Sequence, residues 1–179
     1  LMSVQQTLLF ATGNPHKLQE VSAVLCDLGY QVVGLDSLEH AIDEPVEDGP
    51  TFEANAELKA RWYAKHTGQI ALADDSVLEV DALDVAPGVF SARYAGAEGG
   101  RAVVDPANKR KLVESICDIP PQERTARFVC ALALCDAEQT LALCRGTLEG
   151  QIISEPKGDN GFGYDPHFYL PEQQCTTAE

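Results

Sequence analysis

The chain has 179 residues, enough for one domain with a substantial core, and its hydrophobic content of 45% is ordinary for a globular protein. The formal net charge of −15 argues against nucleic acid and anionic membranes as partners. A phosphate site on such a surface needs local Lys or Arg and a divalent cation. No apolar run approaches the length that spans a bilayer, and the first residues lack a basic region followed by an apolar one.

Leu8 to Ala11 is an apolar run that predicts a buried strand, followed by Gly13 for a tight turn. Asn14 is a good N-cap, and Pro15 suits the first helical position, where its missing N–H costs nothing. Leu18, Val21, Val24, Leu25 and Leu28 then recur at helical spacing, and Gly29 stands where a left-handed C-terminal cap is expected. Backbone N–H groups, the positive end of the helix dipole and the Lys17 ammonium therefore converge at one helix start. That is a site for an anion, best suited to a phosphate chain, although an ordinary strand–helix junction carries the same signature.

Tyr30 to Leu35 reads as a second short strand. Residues 36–50 form a loop with Asp36, Glu39, Asp43, Glu44, Glu47 and Asp48 and no Lys or Arg. It is either a solvated acidic loop or the source of one or two carboxylates for Mg²⁺, which prefers few protein oxygens. Thr51 can cap a helix running to about Lys65, and Gly68 ends it. Asn55 and Lys59 lie four apart and share a face, either towards solvent or as a loop anchor and a second phosphate ligand. Ile70 to Ala73 predicts a buried strand that ends on Asp74-Asp75-Ser76. Carboxylates at the C-terminal end of a strand stand where α/β sheets bind ligands, although Asp and Ser also form plain turns.

Val77 to Leu83 alternates like a half-exposed strand, and Ala86-Pro87-Gly88 is a turn. Arg93 is a candidate phosphate partner or a structural ion pair. Asp105 is expected to cap a helix with Pro106 at its first position, reaching about Cys117. Thr125 to Cys135 is a long strand with Phe128, Cys130, Leu132 and Leu134 on one face. Thr140 to Glu149 returns as its antiparallel partner. In Gly158 to Pro166, glycines flank two aromatics. Phe162 or Tyr164 can stack on a flat ligand and Asp165 can pair with a ring N–H, unless the aromatics belong to the core. Six cysteines (Cys26, Cys117, Cys130, Cys135, Cys144 and Cys175) include no C-x-x-C and read as reduced thiols of a cytosolic protein.

Together, Thr-Gly-Asn-x-x-Lys, an acidic loop leading into Asn-Ala-x-x-Lys-Ala, Ala-Asp-Asp-Ser, Pro-Gly-x-x-Ser-Ala-Arg-Tyr and Gly-Phe-Gly-Tyr-Asp-Pro-x-Phe closely resemble the inosine triphosphate pyrophosphatase (Ham1-like) family, bacterial branch, over nearly the whole chain. The resemblance implies a single α/β domain over residues 1–179, with a long mixed central sheet flanked by helices in two lobes around a deep cleft. It implies Mg²⁺-dependent hydrolysis of dITP, ITP and XTP to the monophosphate and pyrophosphate, by a cytoplasmic homodimer.

Residue by residue, Thr12, Gly13, Asn14 and Lys17 match the family's triphosphate loop, and Pro15 and His16 between them join the substrate-binding candidates. Glu47 matches a metal-loop carboxylate, and Asp75 the catalytic base and metal ligand, with Asp74 beside it. Ser76 matches a substrate contact, and Phe162, Gly163, Tyr164 and Asp165 the base-binding loop. Lys59 and Arg93 are the candidate helpers around the phosphates, and Asn55, also counted with the substrate-binding candidates, is expected to fix the metal loop. In that scheme Lys17 holds the triphosphate, and Asp75 orients or deprotonates a water for in-line attack at the α-phosphorus.

The chain departs from the family at two places. Val77 stands where the family usually has Gly, which predicts a rebuilt turn beyond Ser76. The sequence stops at Thr177-Ala178-Glu179, before the family's helix and Ser-His-Arg segment that completes the base pocket. Two alternatives accompany this reading: a Maf-like pyrimidine nucleotide pyrophosphatase, and a nucleotide-binding protein without turnover.

Overall fold

The structure is a computed structural model and describes residues 6–179. Its elements are β1 (Gln6–Phe10), α1 (Pro15–Asp27), β2 (Tyr30–Val33), α2 (Phe52–Thr67), β3 (Ala71–Val80), β4 (Pro87–Gly88), α3 (Arg101–Ser115), β5 (Thr125–Cys135), β6 (Thr140–Ile152), β7 (Phe168–Leu170) and β8 (Cys175–Thr176). Among the described residues the strands form one eight-stranded sheet in the order β2-β1-β3-β5-β6-β7-β8, with β4 paired to β3 off this path. β1 runs parallel to β2 and β3, whereas β3–β4, β6–β7 and β7–β8 are antiparallel, so the sheet is mixed as expected.

The chain divides into two compact units. One comprises the residues up to Asp75 with Cys130–Arg145, the other Ser76–Val129 with Gly146–Glu179. The core of the first is largely alanine: Ala56, Ala60 and Ala64 of α2 join Ala71 and Ala73 of β3 and Ala131 and Ala133 of β5, with Leu9, Tyr63 and Cys135 filling the rest. Methyl groups on both sides let a helix lie close to a sheet. Thr51 caps α2 by accepting from the Ala54 N–H at 3.1 Å, and Gly68 ends it in the left-handed region at φ 69°. The second unit buries larger side chains: Leu78, Val80, Leu112, Ile116, Ile152, Tyr164 and Phe168, the last with its ring centroid 4.3 Å from that of Phe128.

Three expectations change. First, β3 is continuous from Ala71 to Val80, so Asp74-Asp75-Ser76 lies within a strand and not at its end. Asp is a poor strand former and signals a break, but partners on other elements satisfy both carboxylates here. Val77 accordingly occupies the strand as a buried residue, and no turn follows Ser76. Second, α3 begins at Arg101 after an extended Gly100, leaving Pro106 inside the helix. Asn108 holds that segment down by accepting from the Ala95 N–H and donating to the carbonyls of Ser91 and Ala92.

Third, the apolar stripe of α1 is only partly covered, with Val24 65% and Leu28 68% exposed. The helix packs against β2, an edge strand of four residues. About 13 Å of strand lies under about 20 Å of helix. Phe128, Cys130, Leu132 and Leu134 share one face of β5 as expected. That face is half-buried, and the opposite side, Val129, Ala131, Ala133 and Cys135, is buried.

Candidate active site

All the phosphate and metal candidates on the N-terminal side of Ser76 fall in the first unit. The turn after β1 is tied by the Asn14 N–H donating to Thr12 Oγ1 at 3.1 Å, and Asn14 Oδ1 accepts from the His16 N–H at 3.1 Å as the N-cap of α1. The Leu18 N–H donates to the Asn14 carbonyl, and Pro15 has no N–H. The helix start is therefore capped at the His16 N–H as the sequence suggested, and a side chain adds a further donor. Asn14 is 3% exposed, and its Nδ2 is the one buried side-chain polar atom with no hydrogen-bond partner among the described residues. Because Oδ1 is fixed by the cap, that donor cannot be exchanged for the acceptor. Gly13 adopts no left-handed φ, and an added Cβ would meet only Glu44 Oε1, at 3.9 Å. The turn does not require glycine for its backbone; the acidic loop simply lies beside it.

Lys17 Nζ donates to Asp74 Oδ2 at 2.5 Å, and Asp74 is buried. Lys59 Nζ donates to the Asp74 carbonyl at 3.2 Å and pairs with Glu47 Oε1 at 2.7 Å. Asn55 is buried, with its Oδ1 accepting from the Gly49 N–H at 2.7 Å and its Nδ2 donating to Asp75 Oδ2 at 3.2 Å. Adjacent side chains of a strand point to opposite faces, and the two carboxylates duly take different partners. Burial pushes the Asp75 carboxyl above its usual range. The Asn55 amide works against that shift, and the negative charge of Glu47 adds to it. The expected solvent-facing alternative for Asn55 and Lys59 is thereby set aside.

Among the described residues no cluster of three or more His, Cys, Asp or Glu is placed to hold a metal by itself. The donor set still suits Mg²⁺, which takes one or two carboxylates and completes its shell with phosphate oxygens and water. Glu47 and Asp75 are close enough to feel each other's charge, and Glu47 already holds a cation, the Lys59 ammonium.

The second unit carries the other candidates. Ser76 is half-buried on β3. Arg93 is exposed in a 3₁₀ turn with its guanidinium 5.5 Å from the Phe90 ring centroid, and among the described residues it makes no ion pair. In the glycine-rich loop, Tyr164 belongs to the core: it is 7% exposed, its hydroxyl donates to the Ser91 carbonyl at 2.8 Å, and burial pushes its pKa up. Its ring is not available for stacking, which corrects that part of the sequence reading. Asp165 is a loop organiser. Its Oδ2 accepts from the Phe162 N–H at 2.8 Å and its Oδ1 from Thr177 Oγ1 at 3.1 Å. Gly161, at φ +71°, leaves no room for a Cβ, which would fall 2.1 Å from Asp165 Oδ2. Gly163 also has a positive φ, of 55°. Phe162 remains half-buried, with the Arg101 guanidinium 6.0 Å from its ring centroid.

Sequence reasoning missed two supports of the acidic loop. One is Gly49, whose N–H meets Asn55. The other is Trp62, whose indole N–H donates to the Asp43 carbonyl at 2.9 Å. The lone Trp on a helix beside an acidic stretch was the available signal.

Comparison with known proteins agrees with this architecture. The chain matches the Ham1 family over residues 8–179. A dITP/XTP pyrophosphatase of Exiguobacterium sibiricum is 49% identical over 172 residues, covering 96% of this chain and 84% of the relative. One from Vibrio vulnificus is 46% identical over 174 residues, with the same shares of 96% and 84%. The solved Ham1 protein of Coxiella burnetii superposes with a TM-score of 0.81 at 40% identity, covering 98% of this chain and 87% of that one. With motifs, topology and sequence in agreement over nearly its full length, this chain belongs to the Ham1 family.

Proposed function

We propose that this chain hydrolyses noncanonical purine nucleoside triphosphates (dITP, ITP and XTP) to the nucleoside monophosphate and pyrophosphate. The observation that carries the reading is the buried Asn14 amide without an acceptor, set at a helix start three residues from Lys17. A buried donor without a partner is costly, and a phosphate oxygen supplies the missing acceptor. The dITP/XTP pyrophosphatases among its relatives support the same substrate class.

In this reading Lys17 leaves Asp74 for the triphosphate, assisted by Lys59, and the two ammonium groups neutralise charge that develops on the departing pyrophosphate. Asp75 and Glu47 would hold Mg²⁺, which when bound neutralises phosphate charge and makes a water more acidic. Asp75 orients the attacking water and accepts its proton as the bond from the α-phosphorus to the bridging oxygen breaks. The Gly161–Asp165 loop takes the base, with Phe162 the side chain left to contact it. Discrimination rests on the 6-keto group and N1–H, since a site that hydrogen-bonds them leaves buried groups unpaired with adenine. Such penalties reach about 10⁴-fold. The working form in this reading is a cytoplasmic homodimer.

A pyrophosphate-release assay across ITP, dITP, XTP, ATP, GTP, dTTP and UTP tests the proposal, run with Mg²⁺ and with chelator. Release confined to the inosine and xanthosine nucleotides, and abolished by chelator, is expected. A pyrimidine preference would favour the Maf-like alternative, and tight ITP binding without release a binding protein. Light scattering tests the dimer.

A further inference from the structure

We infer that Asn55 is a positioning residue, a single buried amide that fixes the acidic loop to β3 and thereby sets the distance between the Glu47 and Asp75 carboxylates. The inference rests on the proposal that these two hold the metal.

Three observations lead there. The amide uses both ends, accepting from the Gly49 N–H on the loop and donating to Asp75 Oδ2 on the strand. Its orientation is fixed by chemistry. A flipped amide would set Nδ2 against an N–H and Oδ1 against a carboxylate, losing both bonds. The loop's approach is as close as the backbone allows. A Cβ on Gly49 would fall 2.6 Å from Asn55 Oδ1 and 3.1 Å from both the Ala54 Cβ and the Asn55 nitrogen, although Gly49 has no left-handed φ. Glycine is needed here because of what lies opposite it, not because of its own backbone.

Glu47 sits two residues before Gly49, so a displacement at Gly49 displaces Glu47. Free loops do not hold two carboxylates at a metal's spacing. The acidic loop has no regular structure after residue 37 until Thr51, and it is anchored by Lys59 on Glu47, the Trp62 indole on the Asp43 carbonyl, and Asn55 on Gly49. Of these only Asn55 also touches the catalytic strand's Asp75. Groups that orient a metal's ligands without touching the metal commonly change metal affinity or activity by about 10- to 100-fold when removed.

The test uses the full chain and Mn²⁺ alone as the probe, titrated without nucleotide, together with kcat on ITP and a thermal melt. Asn55→Ala should weaken Mn²⁺ binding and lower kcat, each by about 10-fold or more. Gly49→Ala leaves the sequence of α2 unchanged and should shift both in the same direction, which keeps the test alive if Asn55→Ala does not fold. The double variant should be little worse than Asn55→Ala, since both break one contact. Wild-type Mn²⁺ affinity and kcat in the folded variants, even with a lowered melting temperature, would overturn the inference and leave Asn55 a purely structural residue. Asp75→Asn separates this from the reading beneath it. If that variant binds Mn²⁺ like wild type, the metal site itself is misassigned and the inference falls with it.

Discussion

Asp75 shows how one residue can serve activity against stability. Its carboxyl is held above the usual range mainly by burial, so at neutral pH the fold carries a charge it disfavours. An amide in its place removes that charge and still accepts from Asn55. Asp75→Asn should therefore lower kcat by about 10³-fold or more while leaving the melting temperature unchanged or up to about 3 °C higher. Calorimetry beside the pyrophosphate assay checks both halves. His167 makes the opposite case away from the site. It is buried, its ring Nδ1 lies 2.9 Å from the Ile153 carbonyl, and burial lowers its pKa. The unfolded chain then binds more protons than the native one below about pH 6.5, so this group's contribution is complete above that pH and lost as pH falls towards the lowered value. The slope of melting temperature against pH between about 5 and 7 should flatten in His167→Asn, whose amide can donate to the same carbonyl.

Residue identities were legible where a motif demanded chemistry. Thr-Gly-Asn-x-x-Lys, Asn-Ala-x-x-Lys and the Asp74-Asp75 pair converge within one unit. They were less legible where the partner was backbone. No side-chain pattern announces that Gly49 presents its N–H to Asn55, or that Asp165 spends one oxygen on the Phe162 N–H.

At the scale of elements, helix α2 is the best read. Its Thr51 cap, acidic first turn, basic last turn and Gly68 terminus are all local signals, and all are realised. Thr51→Ala should cost about 1 kcal/mol, a fall of about 2–4 °C in melting temperature, with the folded protein keeping most of its activity. β3 was read as two pieces because propensity is local, whereas the satisfaction of Asp74 and Asp75 depends on Lys17 and Asn55, far away in sequence. The start of α3 was misplaced for a related reason. Asp105-Pro106 carries a strong boundary signal, but Asn108 and Leu112 pin the segment as helix from outside. The glycine-rich loop offers a sharper element-level test. Gly161→Ala combines a strained φ with a Cβ at 2.1 Å from Asp165 Oδ2. It should raise KM for ITP far more than it changes Mn²⁺ affinity, as titration and steady-state kinetics on the same sample would reveal.

For the molecule as a whole, a net charge of −15 sets the terms on which any triphosphate arrives. Lys17 and Lys59 attract at contact, but the long-range field repels. In chelator, affinity for ITP should rise as ionic strength goes from about 0.01 M to about 0.1 M, because the screening length shrinks from about 30 Å to about 10 Å. A fall would mean that the two lysines outweigh the rest of the surface.

The alanine layer under α2 has a consequence for anyone redesigning this protein. Filling a core with larger side chains is a common engineering route to heat resistance. Here Ala56, Ala60 and Ala64 share one core with Ala71, Ala73, Ala131 and Ala133, with Leu9 and Tyr63 already filling the rest, and the same helix carries Asn55 and Lys59. An extra methylene would lift those side chains off the strand they serve. Hardening this scaffold is a task for its outside, beginning with the half-covered stripe at Val24 and Leu28.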